Sequence, residues 1–231
     1  MILTVAAIED PQTLATLREE IGDLEWADGR KSAGPTARKV KRNRQAVLDN
    51  PAGRKLRADL LSHVEDNAVV RAFARPRSIS PPMISKSGRG DHYGAHVDNA
   101  MMRVGKGEQG ETGSLRTDIS FTLFLSEPEE YGGGELVVHA AGTISQIKAK
   151  AGELVLYPST SIHEVRPVTN GERIAAVGWI ESTVRDPQHR ELLFDLENLR
   201  ASLGASAADR TGELLVLDKS IANLLRMWSN P

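Results

Sequence analysis

Cysteine is absent from the 231 residues. That excludes disulfides, iron–sulfur clusters and thiolate zinc sites, and leaves His, Asp and Glu as the side chains able to hold a metal. Aromatic residues are scarce at 4%, yet hydrophobic residues reach 40%, enough for a globular core built mainly from aliphatic side chains. Neither sign of charge dominates. The 29 Lys and Arg against 31 Asp and Glu give a net −2, so no global field draws in nucleic acid or an anionic membrane. No apolar run approaches the roughly 18–20 residues of a membrane span. The opening MILTVAAIEDPQ lacks the basic n-region of a secretory signal. A soluble, cytoplasmic protein is the expectation, with no membrane or nucleic-acid partner. The length suits one substantial core with a helical appendage.

DPQTLATLREEIG predicts a first helix, with Asp10 at the N-cap, Pro11 at the first helical position, and Leu14, Leu17 and Ile21 as an apolar stripe. WADGRKSAGPTARKVKRNRQ reads as a loop entering a strand. It carries seven Lys and Arg between Arg30 and Arg44 with no acid among them, the one charge anomaly of the chain. A solvated face is the ordinary reading of such a run. An anion-attracting wall near a site is the other, while the lack of interleaved aromatics disfavours nucleic acid. A second helix is expected over residues 51–64, burying Leu56, Leu60 and Leu61.

From there to about Ser182 the texture becomes β-rich. NAVVRAFA, YGAHVD, DISFTLFLS, GELVVHA, TISQIKA, GELVLYP and RIAAVGWIES read as short strands, separated by turn signals such as EPEEYGGG, AKAG and VTNGE. Many short strands without intervening helices predict an antiparallel sandwich or barrel. Helical spacing returns after Arg185, in Leu192, Leu193, Leu196 and Leu199. It continues in Leu214, Leu215, Leu217, Ile221, Leu224, Leu225 and Trp228. The fold class is mainly β with flanking helices, an α+β protein. Three segments are expected: residues 1–66 with helices and a basic strand or loop, 67–184 as the β core, and 185–231 as a C-terminal helical segment.

YGAHVDNAMM holds the first candidate chemistry. Residues two apart on a strand share a face, so His96 and Asp98 can bind one ion from one side of a sheet. His-x-Asp alone is a weak signal and needs a third ligand. His63 and His189 fall on helices as surface residues, and His139 as a sheet-face residue. His92 shares strand parity with His96 and Asp98 but lies in a turn-like GRGDHYG. His163 follows the apolar GELVLYPSTSI, and Arg173 opens the next apolar strand ten residues on. A hairpin between them would put both on neighbouring strands facing one interior. A His/carboxylate metal site beside a fixed guanidinium can grip a dicarboxylate at both ends, as a 2-oxoglutarate-dependent oxygenase requires. Arg166 is the second choice for the guanidinium.

The longer strings YGAHVDNAMM, RTDISFTLFLSEPEEYGGGELVV, AGELVLYPSTSIHEVRPVTNGERIAAVGWIES and RDPQHRELLFDL, with DGRKSAGPTARKVKRNRQ before them, resemble the bacterial PKHD-type hydroxylases, a prolyl-4-hydroxylase-like branch of the Fe(II) oxygenases. The likeness spans about Trp26 to Leu199. It implies a double-stranded β-helix, a jelly-roll or cupin-like barrel over 67–184. His96, Asp98 and His163 would be ligands to Fe(II), and Arg173 the clamp on 2-oxoglutarate. O2 would be consumed, succinate and CO2 released and a substrate hydroxylated, with L-ascorbate as reductant and a link to iron homeostasis. A carboxylate at position 98 favours hydroxylation over halogenation. One stretch departs from the family pattern: MISKSGRGD, with Lys86 and Ser87, stands where an aromatic-bearing strand is expected.

Softer assignments accompany this. Asn99 is a candidate to orient Asp98, Tyr157 and Trp179 are candidates for the cavity wall, and Thr117 and Asp118 for support behind the site. The substrate class is open between a small molecule and a peptide, and a homodimer through the helix over 212–228 is expected. Three alternatives stand beside the oxygenase: a non-oxidative cupin-like metal enzyme, an iron- or oxygen-sensing binding module, and a structural barrel without metal.

Overall fold

The computed structural model describes residues 1–106, 112–140, 142–206 and 211–230. Five α-helices lie among them: α1 (Pro11–Gly22), α2 (Pro51–Glu65), α3 (Ala68–Ala74), α4 (Pro187–Ser206) and α5 (Thr211–Trp228). The first two begin as their residues dictate. Asp10 accepts from the backbone N–H groups of Gln12 and Thr13 ahead of Pro11, and Asn50 accepts from that of Gly53 ahead of Pro51.

Helix α3 replaces the strand expected of NAVVRAFA. Asn67 accepts from the N–H groups of Val69 and Val70, and Val70, Phe73 and Ala74, at helical spacing, are all buried. The cap and the spacing outweigh the strand preference of the Val pair, which costs a helix under ~1 kcal/mol per residue.

Two large antiparallel sheets carry most of the remainder, beside two separate strand pairs, one of them Met101–Lys106 with Thr112–Arg116. The first runs in the order Leu3–Ala6, Glu153–Pro158, Ile119–Phe124, Arg173–Ser182, Met83–Ser87, Arg44–Ala46 and Trp26–Asp28, with Pro76–Ile79 also paired to Arg173–Ser182. The second runs Thr143–Ile147, Leu136–Ala140, Ile162–Val165, His92–His96 and Lys41–Arg42. Residues before position 67 thus contribute strands to both sheets.

Alternation sorts the first sheet into an outer and an inner face. Ile119, Phe121, Leu123, Leu154, Leu156, Ala176 and Ile180 join Leu17 of α1, Leu56 and Leu60 of α2 and Phe73 of α3 in the main core. Each such aliphatic side chain contributes about 1.5–3 kcal/mol by leaving water. On the inner face, Ser120, Thr122, Tyr157, Arg173, Val177 and Trp179 line a cavity whose opposite wall is the second sheet, with Tyr93, His96, Leu136, His163 and Val165. Helices α4 and α5 pack on each other through Leu193, Leu196, Leu217, Ile221 and Leu224. Leu192, Leu199 and Leu215 from the expected apolar stripes are exposed instead. No helix among the described residues is long and apolar enough to cross a membrane.

The hairpin expected between His163 and Arg173 does not form. Ile162–Val165 sits in the second sheet between Leu136–Ala140 and His92–His96, whereas Arg173–Ser182 sits in the first. Pro167 has no N–H to continue the ladder. The chain beyond it, Val168–Gly171, pairs with Tyr131–Gly133 on its way between the sheets. These two segments, read from sequence as turns, are therefore a short strand pair. Gly133 and Gly171 hold φ of +65° and +68°, and a Cβ on either would collide with the carbonyl oxygen of Pro167 or Glu130.

Candidate active site

The inner faces of the two sheets converge on His96, Asp98 and His163. One potential donor atom from each of the three lies within 4.8 Å of the others. His96 ends its strand, Asp98 follows it in extended chain, and His163 is directly opposite His96 in the ladder. His163 Nε2 is 3.7 Å from Asp98 Oδ2, and the two imidazole centroids are 4.3 Å apart.

Both rings are held the same way. His96 Nδ1 donates to the carbonyl oxygen of Gly94 at 2.8 Å, and His163 Nδ1 to that of Ser161 at 3.1 Å. A carbonyl can only accept, so each Nδ1 carries the proton and each Nε2 keeps its lone pair free for a metal. Burial, reinforced by the neighbouring His163, pushes the pKa of His96 down to about 4, so the ring is neutral at physiological pH.

Asp98 is oriented by Ser120, whose hydroxyl donates to Oδ2 at 2.6 Å and is itself 2.7 Å from Ser159 Oγ. Asn99, the sequence candidate for that role, is exposed and lies beside Met102 Sδ. Thr117 and Asp118 serve the scaffold: Thr117 donates to the carbonyl of Asn99, and Asp118 binds Arg116 through both oxygens at 2.8 Å. Ser120 had a signal in DISFTLF, where Ser120 and Thr122 alternate with buried apolar residues and so mark a polar interior face.

Arg173 faces the triad from the opposite sheet. It is only 2% exposed, its guanidinium lies 5.0 Å from the Phe124 ring centroid, and Nε and Nη2 have no hydrogen-bond partner. Burial lowers its pKa, with the nearby Tyr131 and Tyr157 opposing the shift. A buried guanidinium with idle donors calls for an anion, because an unpaired buried charge costs several kcal/mol. Ser87 is its ladder partner, and Ser85 and Ser87 are both buried in the strand Met83–Ser87. Arg166 is half-exposed near Gln146 and Glu164, away from the cavity.

Tyr157 and Trp179 do line the cavity, and the indole N–H of Trp179 is buried without a partner. His92 does not. Opposite the pair His163 and Val165 stand His96 and Tyr93, one residue farther apart, so a bulge reverses the parity between them. Tyr93 therefore faces inward, stacked on His96 at 3.7 Å, and His92 faces a groove outside. Strand parity read from sequence cannot anticipate a bulge. Lys41 also went unnoticed as an individual: it is 7% exposed, donates to Ser32 Oγ at 3.0 Å, and sits 4.8 Å from the Tyr93 ring centroid. His139 lies on the second sheet, while His63 and His189 are helical and half-buried, His189 stacked on Trp228.

A two-sheet barrel with a His/Asp/His cluster and a buried guanidinium across from it is the layout of an oxygenase, and residues 82–181 match the model of the 2OG-Fe(II) oxygenase superfamily. A solved structure of a 2OG-Fe(II) oxygenase family oxidoreductase from Burkholderia pseudomallei superposes with a TM-score of 0.58 at 17% identity, covering 78% of this chain and 85% of the other. A prolyl hydroxylase from Trichoplax adhaerens, solved with a hypoxia inducible factor peptide fragment, gives 0.54 at 15% identity over 83% and 86%. These likenesses carry the jelly-roll fold. In sequence, a PKHD-type hydroxylase from Hyphomonas neptunium is 47% identical over 229 residues, 99% of this chain and 100% of the relative. The chain belongs to the PKHD-type hydroxylases, and is a dioxygenase whose family uses Fe(II) and 2-oxoglutarate.

Proposed function

We propose that His96, Asp98 and His163 hold Fe(II), that Arg173 holds the distal carboxylate of 2-oxoglutarate, and that the enzyme hydroxylates a substrate entering beside Trp179 and Met102. Two neutral imidazoles and one carboxylate form the donor set suited to Fe(II) with open positions for other ligands. Bound there with 2-oxoglutarate and O2, the metal supplies oxidative decarboxylation to succinate and CO2, coupled to hydroxylation of a substrate C–H bond.

The protein's own part is positioning. The carbonyls of Gly94 and Ser161 aim the two Nε2 atoms, and Ser120 turns the carboxylate of Asp98 toward them. Arg173 offers its idle Nε and Nη2 to a carboxylate in a fork geometry that Lys could not reproduce. The walls of Leu136, Tyr157 and Val165 keep bulk water from the space between clamp and triad. The single observation that carries this reading is the buried guanidinium, with its Nε and Nη2 donors unpartnered, facing the three donors across one cavity.

Anaerobic titration with Fe(II) and then 2-oxoglutarate tests it. A visible metal-to-ligand charge-transfer band should grow to one equivalent. In Arg173→Met, Fe(II) should still bind while 2-oxoglutarate affinity falls roughly 100-fold, the loss of about 3 kcal/mol expected for a buried charged pair. No band in the wild type, or unchanged affinity in the variant, would overturn the assignment.

A further inference from the structure

Outside the cavity mouth lies an open groove of about 1020 Å³, against about 100 Å³ for the narrow cavity itself. The run of basic residues noted in the sequence converges here. Seven Lys and Arg line the groove, with Asp28 and Asp91 as its acids, in a chain whose net charge is −2. The concentration is local, so composition does not explain it.

Part of this charge is already engaged. Arg30 pairs with Asp28 at 2.5 Å, Arg42 with Asp91 at 3.3 Å, and Arg38 donates to the carbonyls of Arg30 and Ala33. Lys31, Lys39 and Arg44 remain exposed and in no close ion pair among the described residues, with Asp28 in electrostatic reach of Lys31. Lys41 forms no close ion pair among the described residues but lies in the field of Asp98 and Asp28; it is buried where groove and cavity meet, and belongs to the lining of both. From it the path into the site is short: its ammonium lies over Tyr93, which stacks on His96.

Two further features define the occupant. Trp26–Asp28 terminates the first sheet and Lys41–Arg42 terminates the second, and both line the groove. Terminal strands offer main-chain donors and acceptors to an extended polypeptide. For stacking nucleobases the groove offers little among the described residues: Trp26 has the Lys86 ammonium 4.5 Å from its ring centroid, which leaves the single His92 ring.

We propose that this groove docks an acidic polypeptide segment of the substrate, with Lys31, Lys39 and Arg44 pairing its carboxylates and Lys41 taking the one nearest the reacting residue. The inference rests on the reading of the cavity as an Fe(II)/2-oxoglutarate site and adds the class of substrate that reaches it. Lys41 acts here as a specificity-determining residue.

The test uses the full chain and a fluorescein-labelled octaglutamate peptide, with a Gly/Ser peptide and an oligouridylate of equal length as controls, read by fluorescence anisotropy. Octaglutamate should bind tighter than either control and weaken with added NaCl. Affinity should drop about tenfold or more in Lys31→Glu/Lys39→Glu/Arg44→Glu, whose changes are all on exposed side chains, and also in Lys41→Met. In the protein loaded anaerobically with Fe(II) and 2-oxoglutarate, unlabelled octaglutamate should shift the charge-transfer band of the wild type and not that of the triple variant.

Equal binding of the neutral peptide, tighter binding of the oligouridylate, or indifference to the triple substitution would each overturn the proposal. So would peptide binding that leaves the band unmoved. Absence of the band before any peptide is added is the separate failure of the metal-site reading, and anisotropy is measured without metal, so the two failures are told apart.

Discussion

At the scale of single residues, the site depends on side chains that never need to touch a substrate. Ser120 donates to Asp98 and leans on Ser159, so Ser120→Ala leaves a carboxylate oxygen inside the barrel without its partner. Metal affinity should fall roughly 10- to 100-fold, measurable by competition with a chelator, while 2-oxoglutarate affinity at saturating metal stays near the wild-type value. His96 makes a pH prediction for the metal-free protein. Its folded-state pKa, pushed down to about 4, lies below the ordinary value of 6.5, so the unfolded chain takes up a proton in that window and the folded one does not. Stability is therefore full above about 6.5 and declines as pH falls toward 4. A melting temperature that dropped equally in His96→Asn across that range would refute the attribution. How much of this the residues announced by themselves varies. His163 and Arg173 were legible through the apolar strands around them. Tyr93 was not, because a one-residue bulge inverted the parity that would have revealed it, and Lys41 looked like one more member of a charge run.

At the scale of elements, the lesson is that local capping can outvote composition. NAVVRAFA has the β-branched pair of a strand, but Asn67 closes the first turn of α3 and its side-chain amide also donates to the carbonyl of Ala6 at 2.9 Å. Asn67→Ala should cost about 1 kcal/mol for the cap, and somewhat more for the lost tie to the first strand, as read from the urea midpoint at unchanged slope. A neutral substitution would mean that packing of Val70 and Phe73 alone defines the helix. Helix α1 was readable because an Asp-Pro entry preceded regular apolar spacing, and α2 through the spacing of its leucines, of which Leu56 and Leu60 are buried. Six of the seven segments read as strands are strands, because alternation and Gly-rich turns are local, whereas short ones such as Met83–Ser87 and Ile162–Val165 carry too little alternation to stand out. Pairing was not readable: Ile162–Val165 and Arg173–Ser182 are close in sequence, yet Pro167 and the short pair formed by Val168–Gly171 send them to different sheets. Which strands become neighbours is a long-range choice that nothing in a short window encodes.

At the scale of the whole molecule, that division between sheets shapes behaviour beyond catalysis. The three donors belong to the second sheet and the chain just after it, whereas the guanidinium stands on the first. On the proposed binding, adding 2-oxoglutarate at about 100 times its dissociation constant to the Fe(II)-loaded protein should stabilise the fold by about 2.7 kcal/mol. For a chain of this size that is a rise of roughly 5–10 °C in melting temperature. Hydrogen exchange should slow in Arg173–Ser182 and in Ile162–Val165 together; protection confined to one sheet would contradict the arrangement. On the proposed binding, a small dicarboxylate would be a fastener between two halves of a shell, not merely fuel for the reaction. A cell short of that metabolite would hold a looser enzyme, more open to proteolysis, so the abundance of the protein would follow the supply of its own cosubstrate.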